Sequence, residues 1–172
     1  FFVSYRKTAL QAGEILKTII IPRSVSQPGL TRKTAWFKVS KRREMDISTV
    51  AACFVVDLDD QHIVRHVRLG YGGIAAMPAR AKKTEAALLD KMWSEEAVQN
   101  VLPILRTEFT PISDVRGSAE YRSGLITRLL EKFFTEPPEG RVPRVPKSKE
   151  ISLGLVELVP PNQQVPHESG HK

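Results

Sequence analysis

Short runs of apolar and β-branched residues crowd the first half of the chain, a pattern that is typical of β-strands. They predict four strands, at residues 14–21, 31–40, 47–58 and 62–71. The first run stops at Pro22, which suits the end of a buried strand because proline cannot donate to a sheet. Asp59-Asp60-Gln61 is rich in turn formers and predicts that the third and fourth strands form a hairpin.

The hydrophobic spacing becomes helical after Pro78, where residues 79–89 are rich in good helix formers. Ser94 is the predicted N-cap of a second helix, which Pro103 should kink or end. Ser118 is the predicted cap of a third helix, whose apolar face recurs every four residues and must be covered by the sheet. That face comprises Tyr121, Leu125, Leu129, Leu130, Phe133 and Phe134. Strands followed by helices in this way indicate an α+β domain.

Proline density rises sharply after Glu136. Seven of the 12 prolines lie in residues 137–172, and such a segment favours an extended backbone that buries little. We therefore predict a folded domain at residues 1–136 and a proline-rich linker at residues 137–172, with one short strand-like run at 151–159.

Length and composition exclude several classes of protein. With 172 residues, 41% of them hydrophobic, the chain is the size of one domain with a tail, and no apolar run reaches the ~20 residues of a membrane span. Cys53 is the single cysteine, so the chain forms no internal disulfide and no cysteine-based zinc or iron–sulfur site. Because the sequence opens on Phe1, we expect it to be a piece of a longer chain.

The 26 Lys and Arg residues outnumber the 19 Asp and Glu residues, which gives a net charge of +7. This balance suits a nucleic acid, an anionic membrane surface or a phosphate-bearing cofactor, and charge alone does not choose among them. A nucleic-acid-binding domain is disfavoured, because the chain has no RNP or helix-turn-helix motif and no aromatic residues among its basic clusters. A purely structural interaction domain is a further alternative.

Three local patterns are weak candidates for chemistry. His62 and His66 would share a face of a strand, but a solvated hairpin explains them better than a metal site. The glycines of residues 70–73 lack the rest of a phosphate-binding loop, so a tight connection that needs positive φ is favoured. Residues 38–46 concentrate four cations and then two carboxylates between two predicted strands. Such a loop can hold phosphate or gate a site, although a solvated connection is commoner.

A series of short motifs, in order, resembles the flavoprotein region of the xanthine dehydrogenase family of molybdenum hydroxylases. Carbon monoxide dehydrogenases carry a similar flavoprotein C-terminal domain. The resemblance covers roughly residues 1–136. The motifs are Phe1-Phe2-Val3-Ser4-Tyr5-Arg6-Lys7-Thr8-Ala9-Leu10, Gly13-Glu14-Ile15-Leu16, Ile19-Ile20-Ile21-Pro22, Phe37-Lys38, Lys41-Arg42-Arg43-Glu44, Asp46-Ile47, Tyr71-Gly72-Gly73, Pro78-Ala79-Arg80-Ala81, Thr84-Glu85 and Glu120-Tyr121-Arg122.

The resemblance implies the C-terminal lobe of a flavin-binding region. The implied fold is an antiparallel sheet of three to four strands followed by three helices packed on one face, with an extended C-terminal linker. The implied activity is that of a cytoplasmic oxidoreductase of purine metabolism, which oxidises hypoxanthine or xanthine to urate and passes electrons through FAD to NAD.

The resemblance also places the other parts of that enzyme outside this chain. The molybdenum cofactor, the two [2Fe–2S] clusters and the upstream FAD-binding lobe that grips the pyrophosphate belong to other regions of the parent. Residues 165–172 resemble the lead-in to the molybdenum-binding region. The family implies a homodimeric parent with neither nucleic-acid nor membrane partners.

Site residues follow from the resemblance, motif by motif. Leu16 and Lys38 match family contacts to FAD, Leu16 as an apolar wall and Lys38 as a cation near the flavin or its phosphates. From the residues alone, Leu16 would be a core residue and Lys38 an exposed strand lysine. The loop after Lys38 matches the family segment that lies near the flavin ring and influences the access of NAD. Its candidate residues are Lys41, Arg42, Arg43, Glu44 and Asp46. No catalytic residue and no metal ligand is expected in this chain.

Overall fold

The computed structural model describes residues 1–20, 27–42 and 45–136. The strands are β1 (Phe2–Ser4), β2 (Lys7–Thr8), β3 (Thr31–Val39), β4 (Val50–Leu58), β5 (Val64–Gly72) and β6 (Ala79–Arg80). The helices are α1 (Lys82–Leu88), α2 (Glu95–Glu108) and α3 (Ala119–Thr135). β1 and β2 form a small hairpin, and the other four strands form one sheet. No helix within these ranges is long and apolar enough to cross a membrane.

The main sheet is antiparallel throughout, in the order β3-β4-β5-β6. Side chains alternate between its two faces. On one face, the large apolar residues Phe54, Leu69 and Tyr71 are buried in the hydrophobic core. Phe54 contacts Phe133 of α3, with ring centroids 5.6 Å apart. The predicted α+β fold, with helices packed on one face of an antiparallel sheet, is confirmed.

Three of the four predicted strands are present. The strands predicted at 31–40, 47–58 and 62–71 correspond to β3, β4 and β5, and the turn between β4 and β5 includes residues 60–61. The Asp59 carboxylate accepts hydrogen bonds from the amides of Gln61 and Ile63, at 3.0 and 2.8 Å. This side-chain to backbone bonding explains why an Asp-rich sequence turns the chain here.

Residues 14–20 form no strand, and the predicted buried strand at 14–21 is wrong over these residues. Ile15, Leu16, Ile19 and Ile20 are between 49% and 86% exposed. A β-forming composition buries a strand only where a neighbouring edge and a covering layer receive it, and none of the described strands pairs with this segment. Ile21 and Pro22 lie outside the described residues.

Side-chain caps explain where the two long helices begin. The Ser94 Oγ accepts a hydrogen bond from the Ala97 amide at 3.2 Å, and the Ser118 Oγ accepts one from the Tyr121 amide at 3.1 Å. Both predicted caps are confirmed, and each satisfies an amide that has no partner within its helix. The buried apolar residues of these helices are Val98, Val101, Leu105, Ile126, Leu129, Leu130 and Phe133.

Two details of the helix predictions need correction. α2 continues through Pro103 to Glu108, so the helix does not end at the proline. Burial of Val101 and Leu105 on either side of it offsets the missing backbone hydrogen bond. Tyr121 is 51% exposed and does not belong to the buried face of α3, because the inward-facing stripe of that helix runs through Ile126 instead.

The predicted linker at 137–172, including the run at 151–159, lies outside the described residues. The domain boundary after Glu136 therefore stays a prediction.

Candidate functional site

The face of the sheet opposite the core, here called the open face, carries mostly small side chains in its middle. One row across β3, β4 and β5 consists of Lys38, Ala51 and Gly72. The next row extends to β6 and consists of Trp36, Cys53, Gly70 and Arg80. Since neighbouring strands lie about 4.8 Å apart, the second row is about 14 Å wide. The open face is thus a flat strip with Trp36 and Lys38 at one border and Arg80 at the other.

The part of this strip that lies on β4, β5 and β6 is the floor of an open groove with a volume of about 670 Å³, whereas Trp36 and Lys38 on β3 do not line the groove. A Cβ built on Gly72 would come no closer than 3.8 Å to its nearest neighbour, so the floor there is bare. Beyond β5 the lining comprises Met77, Pro78, Ala79, Arg80 and Lys82. A flat, largely apolar floor with cations nearby suits a planar aromatic group that carries phosphate.

Lys38 has no hydrogen bond or ion pair with the described residues, and its side chain is exposed. Arg80 is different, because its guanidinium is paired with Glu85, whose Oε1 accepts from Arg80 Nε at 3.0 Å. Glu85 also accepts from the Leu69 amide at 2.8 Å, which fixes the carboxylate in place. Arg80 is therefore already paired, whereas Lys38 and the groove residue Lys82 are exposed cations whose charges are available to a ligand.

The β3–β4 loop begins after Val39, the neighbour of Lys38, and its described residues are 40–42 and 45–48. Its base is closed by the Thr49 amide, which donates to the Val39 carbonyl at 2.7 Å. The Asp46 carboxylate accepts from the Arg42 amide at 3.0 Å and from the Ile47 amide at 2.9 Å. The Arg42 amide in particular lowers the pKa of Asp46 below its usual range. Asp46 is thus ionised, and it stabilises the loop conformation through hydrogen bonds to two amides of the loop.

The other predicted loop residues divide into three groups. The Lys41 Nζ donates to the Val115 carbonyl at 2.7 Å, so this cation is already engaged with another part of the protein. The Arg42 side chain is 75% exposed and is held only by a long contact of 3.9 Å with Asp46. Arg43 and Glu44 lie outside the described residues. Of the described cations in this loop, Arg42 is the one free to meet a ligand.

Leu16 lies in the exposed segment 14–20 and is 49% exposed. The expectation that it is a core residue is therefore wrong. The exposure is compatible with the other expectation, an apolar wall, because such a wall must be accessible to a ligand. Leu16 is not among the residues that line the groove. Lys38 does not line the groove either, but it is in register with the groove residue Ala51 and lies just before the β3–β4 loop. The contacts of Leu16 and Lys38 with FAD both stay predictions.

The weaker candidates have structural roles. His62 has a φ of 61° and precedes β5, so it does not share a strand face with His66. His66 Nδ1 lies 3.3 Å from Asp57, which also binds Arg32. Residues 1–20, 27–42 and 45–136 contain no group of three or more His, Cys, Asp or Glu residues that could hold a metal ion.

Gly73 has a φ of 78°, as the predicted connection after β5 requires. A Cβ at this position would overlap the Thr49 carbonyl oxygen, which lies directly beside the glycine. Only glycine allows this approach of the chain after β5 to the base of the β3–β4 loop.

The groove floor itself was missed by sequence reasoning, although a signal exists. Over residues 51–54 of β4 and 69–72 of β5, the large core residues Phe54, Leu69 and Tyr71 lie next to small residues on the open face. The small partners are Ala51, Cys53, Gly70 and Gly72. Alternate residues of a strand lie on the same face. When those on one face are all small, another surface can approach that face closely.

Comparison with known proteins identifies the same domain. Residues 35–137 match the CO dehydrogenase flavoprotein C-terminal domain family. A xanthine dehydrogenase from Blastobotrys adeninivorans is 35% identical over 140 residues, which cover 78% of this chain and 10% of the relative. A nicotinate hydroxylase, hnxS, from Emericella nidulans is 36% identical over 137 residues, covering 77% of this chain and 10% of the relative.

Solved structures agree with these relatives. A carbon monoxide dehydrogenase from Hydrogenophaga pseudoflava matches with a TM-score of 0.55 and 26% identity, covering 62% of this chain and 36% of that one. The chain thus spans about a tenth of the length of the curated relatives it matches.

Proposed function

Because the chain belongs to the CO dehydrogenase flavoprotein C-terminal domain family, we propose that it forms one wall of the FAD site of a molybdenum hydroxylase. The observation that carries the proposal is the position of Lys38, an exposed cation in register with Ala51, which lines the groove. FAD combines a flat ring with phosphate groups; the bare floor would suit the ring, and a nearby cation would suit negative charge on the ring or on a phosphate.

The residues present fit the flavin in shape and in charge. The floor rows contain two glycines and an alanine, so a planar ring can lie close to the backbone of β4 and β5. When bound, FAD would accept electrons and later pass them on, and its ring would carry negative charge while it is reduced. The ammonium of Lys38 would stabilise that charge or hold a phosphate, and Leu16 would supply an apolar contact from the exposed segment 14–20.

The β3–β4 loop supports a second part of the proposal, which concerns access to the flavin. The loop leaves the sheet next to Lys38, and its exposed Arg42 can attract the phosphates of NAD. Lys41 and Asp46 would hold the loop in shape, a role that their hydrogen bonds to Val115 and Arg42 support. Arg43 and Glu44 complete the proposed NAD-access loop.

For the whole enzyme we propose oxidation of hypoxanthine or xanthine at a molybdenum cofactor, with electrons carried through two [2Fe–2S] clusters to FAD and NAD. The xanthine dehydrogenase from Blastobotrys adeninivorans supports this substrate, and the nicotinate hydroxylase is the competing indication. The proposed partners are the upstream FAD-binding lobe and the iron–sulfur and molybdenum regions, in a cytoplasmic homodimer without nucleic-acid or membrane partners.

Replacement of Lys38 by alanine tests the flavin wall. In the intact flavoenzyme that carries this chain, Lys38→Ala should weaken FAD retention roughly tenfold, or shift the flavin potential, because a charge-assisted contact is lost. The measurements are the flavin absorbance per protein after gel filtration and a redox titration.

Lys33→Ala is the matched control, because Lys33 lies on the same strand with its side chain on the opposite face. It should leave flavin content and potential unchanged. Equal flavin content and equal potential in the Lys38→Ala protein and the control would refute the assignment of Lys38. A folded, intact parent without any flavin would refute the proposed function itself.

A further inference from the structure

The β3–β4 loop is held from another part of the chain, more than 60 residues away. Residues 114–117 form a tight turn in which Asp114 and Gly117 bond each other through their backbones, at 3.0 and 3.2 Å. This turn, here called the 114–117 turn, directly precedes the Ser118 cap of α3. The carbonyl groups of Val115 and Arg116, both in this turn, accept hydrogen bonds from the β3–β4 loop and from its base.

Lys41 and Thr49 make these two contacts, one at each end of the loop. The Lys41 Nζ donates to the Val115 carbonyl at 2.7 Å, and the Thr49 Oγ1 donates to the Arg116 carbonyl at 3.2 Å. Thr49 is 2% exposed, and a Cβ on Gly117 would come within 2.8 Å of its methyl group. The turn therefore packs directly against the base of the loop.

Arg122 holds the 114–117 turn in this position. Its side chain is 4% exposed, and its two terminal nitrogens reach different segments. One donates to the Gly73 carbonyl at the end of β5, and the other donates to the Asp114 carboxylate. The Nε has no partner among the described residues. Because the guanidinium is buried, these two acceptors are needed to offset the cost of removing its charge from water.

Asp114 links the guanidinium to the backbone of the turn. Its Oδ1 accepts from the Arg116 amide at 2.8 Å and from the Gly117 amide at 3.2 Å. The Arg116 amide in particular, together with the Arg122 guanidinium, lowers the pKa of the Asp114 carboxyl to about 2. The carboxylate is thus charged throughout the physiological pH range, and the link to Arg122 does not switch there.

We propose that Arg122 is a positioning residue for the β3–β4 loop. By bridging Gly73 and Asp114 it holds the 114–117 turn, which in turn holds Lys41 and Thr49 and so sets where the loop lies beside Lys38. Arg122 touches neither the groove floor nor the loop itself. Its effect on access to the flavin rests on the proposed function, whereas its effect on the loop does not.

Amide hydrogen exchange of the 172-residue chain tests the positioning role without any flavin. Asp114→Asn removes the charge that Arg122 needs and keeps an acceptor for the turn amides, while Asp114→Ala removes both. Amides of the 40–49 segment should exchange roughly tenfold faster in Asp114→Ala and less so in Asp114→Asn, because local opening becomes easier as anchoring bonds are lost. Lys41→Met removes only the contact with Val115 and should affect the same segment if the Asp114→Ala protein does not fold.

Asp57→Asn is the matched control, because Asp57 is also a buried carboxylate paired with an arginine, at the other end of β4. It should leave exchange in the 40–49 segment at the wild-type rate. Unchanged exchange in that segment for both Asp114→Ala and Lys41→Met would overturn the proposal. So would an equal increase in the Asp57→Asn control, which would show general destabilisation instead.

A kinetic split in the intact enzyme provides the second readout. Asp114→Asn should raise the KM for NAD roughly fivefold, with flavin content and kcat close to wild type, since a misplaced loop weakens binding without removing a reacting group. Arg122→Lys should lie between wild type and Arg122→Met, because lysine keeps the charge but cannot bridge two acceptors as a fork. An equal fall in flavin content and in kcat would overturn the positioning role. Wild-type enzyme without flavin would contradict the proposed function, and the exchange measurement, repeated with Arg122→Met, would still decide the role of Arg122.

Discussion

Each buried charged side chain among the described residues is paired. Asp57, Glu85 and Arg122 are at most 6% exposed, and their partners are Arg32, Arg80 and Asp114, respectively. Pairing is needed because a charge without a partner in a poorly solvated position is costly. Each pair also joins segments distant in sequence or fixes a local turn, so single residues here decide how elements meet.

The pair of Asp57 with Arg32 predicts a pH dependence of stability. The Asp57 Oδ1 lies 2.6 Å from Arg32 Nε, and this hydrogen bond lowers the pKa of Asp57 in the folded protein. In the unfolded chain the pKa returns to about 3.9. The pair therefore contributes stability above that pH and loses it as the pH falls through the lower, folded value.

Urea unfolding of wild type and Asp57→Asn at pH 7 and pH 3 measures this contribution. The variant should lose about 1–2 kcal/mol of the free energy of unfolding at pH 7, with a smaller difference at pH 3. Asp60→Asn, in the exposed turn after β4, is the control and should change little. A constant difference between wild type and Asp57→Asn at both pH values would contradict the assigned cause.

Gly73→Ala should strongly destabilise the protein, although Gly73 is exposed and lies in a turn after β5. The residue has a φ of 78°, and its new Cβ would overlap the Thr49 carbonyl oxygen. We expect a loss of about 2 kcal/mol or more in the free energy of unfolding, measured by urea melts. Gly124→Ala in α3 has open space around the new Cβ and should instead be neutral or stabilising. Similar effects of the two substitutions would argue against the close approach at Gly73.

At the scale of elements, α2 has a favourable N-terminal cap but an interior residue that disfavours a helix. Ser94 caps its N-terminus, but Pro103 lies within the helix and has no amide to donate. Thr107 donates its hydroxyl to the Pro103 carbonyl at 3.2 Å. The helix persists because its buried side packs against the hydrophobic core. Its stability therefore comes from packing more than from its own backbone hydrogen bonds.

Pro103→Ala should therefore stabilise the protein. The free energy of unfolding should rise by about 1 kcal/mol, since a helical hydrogen bond is regained while the unfolded chain becomes more flexible. Thermal unfolding followed by circular dichroism would show this as a higher Tm. Pro111→Ala, in the loop before α3, is the control; it gains no helical bond and should be neutral or slightly destabilising. A lower Tm for Pro103→Ala would show that the proline is required in α2.

At the scale of the whole molecule, exposed apolar surface is concentrated in one segment of the chain, residues 1–20. Residues 1–20 are exposed along their length and include several aromatic and aliphatic side chains. The largest are Phe1, Phe2, Tyr5, Ile15, Leu16, Ile19 and Ile20. Extended exposed apolar surface of this kind marks an interface. It supports the proposal that another lobe completes the FAD site.

Neutralising the loop arginines tests whether two half-reactions are separate in the intact enzyme. Arg42→Gln with Arg43→Gln should lower kcat/KM for NAD roughly tenfold, because attraction of the dinucleotide phosphates is lost. Hydroxylation of xanthine, assayed with an artificial electron acceptor, should stay near wild type. Arg106→Gln, on α2, is a control that removes one positive charge outside the loop, against two in the double variant. Equal loss of both half-reactions would contradict a role of the loop in NAD access.

Local features could be predicted because their causes lie within a few residues. The serine caps, the Asp59 turn, the positive φ near Gly73 and the alternation along β3 to β5 are all set by neighbours in sequence. The same reasoning failed at residues 14–20, where composition favours a strand but no described edge receives it. Lys38 became a candidate through a family resemblance, not through its local pattern.

The sequence by itself determined the order and type of the main elements, since hydrophobic period and capping act over at most four residues. Only the tertiary structure decided which small residues form the groove floor beside Lys38, because that depends on strand register. It also decided that Lys41 bonds Val115, 74 residues away, and that Arg122 reaches Gly73, 49 residues away. Such contacts arise when folding brings distant segments together to bury charge and apolar surface, and no local pattern encodes their partners.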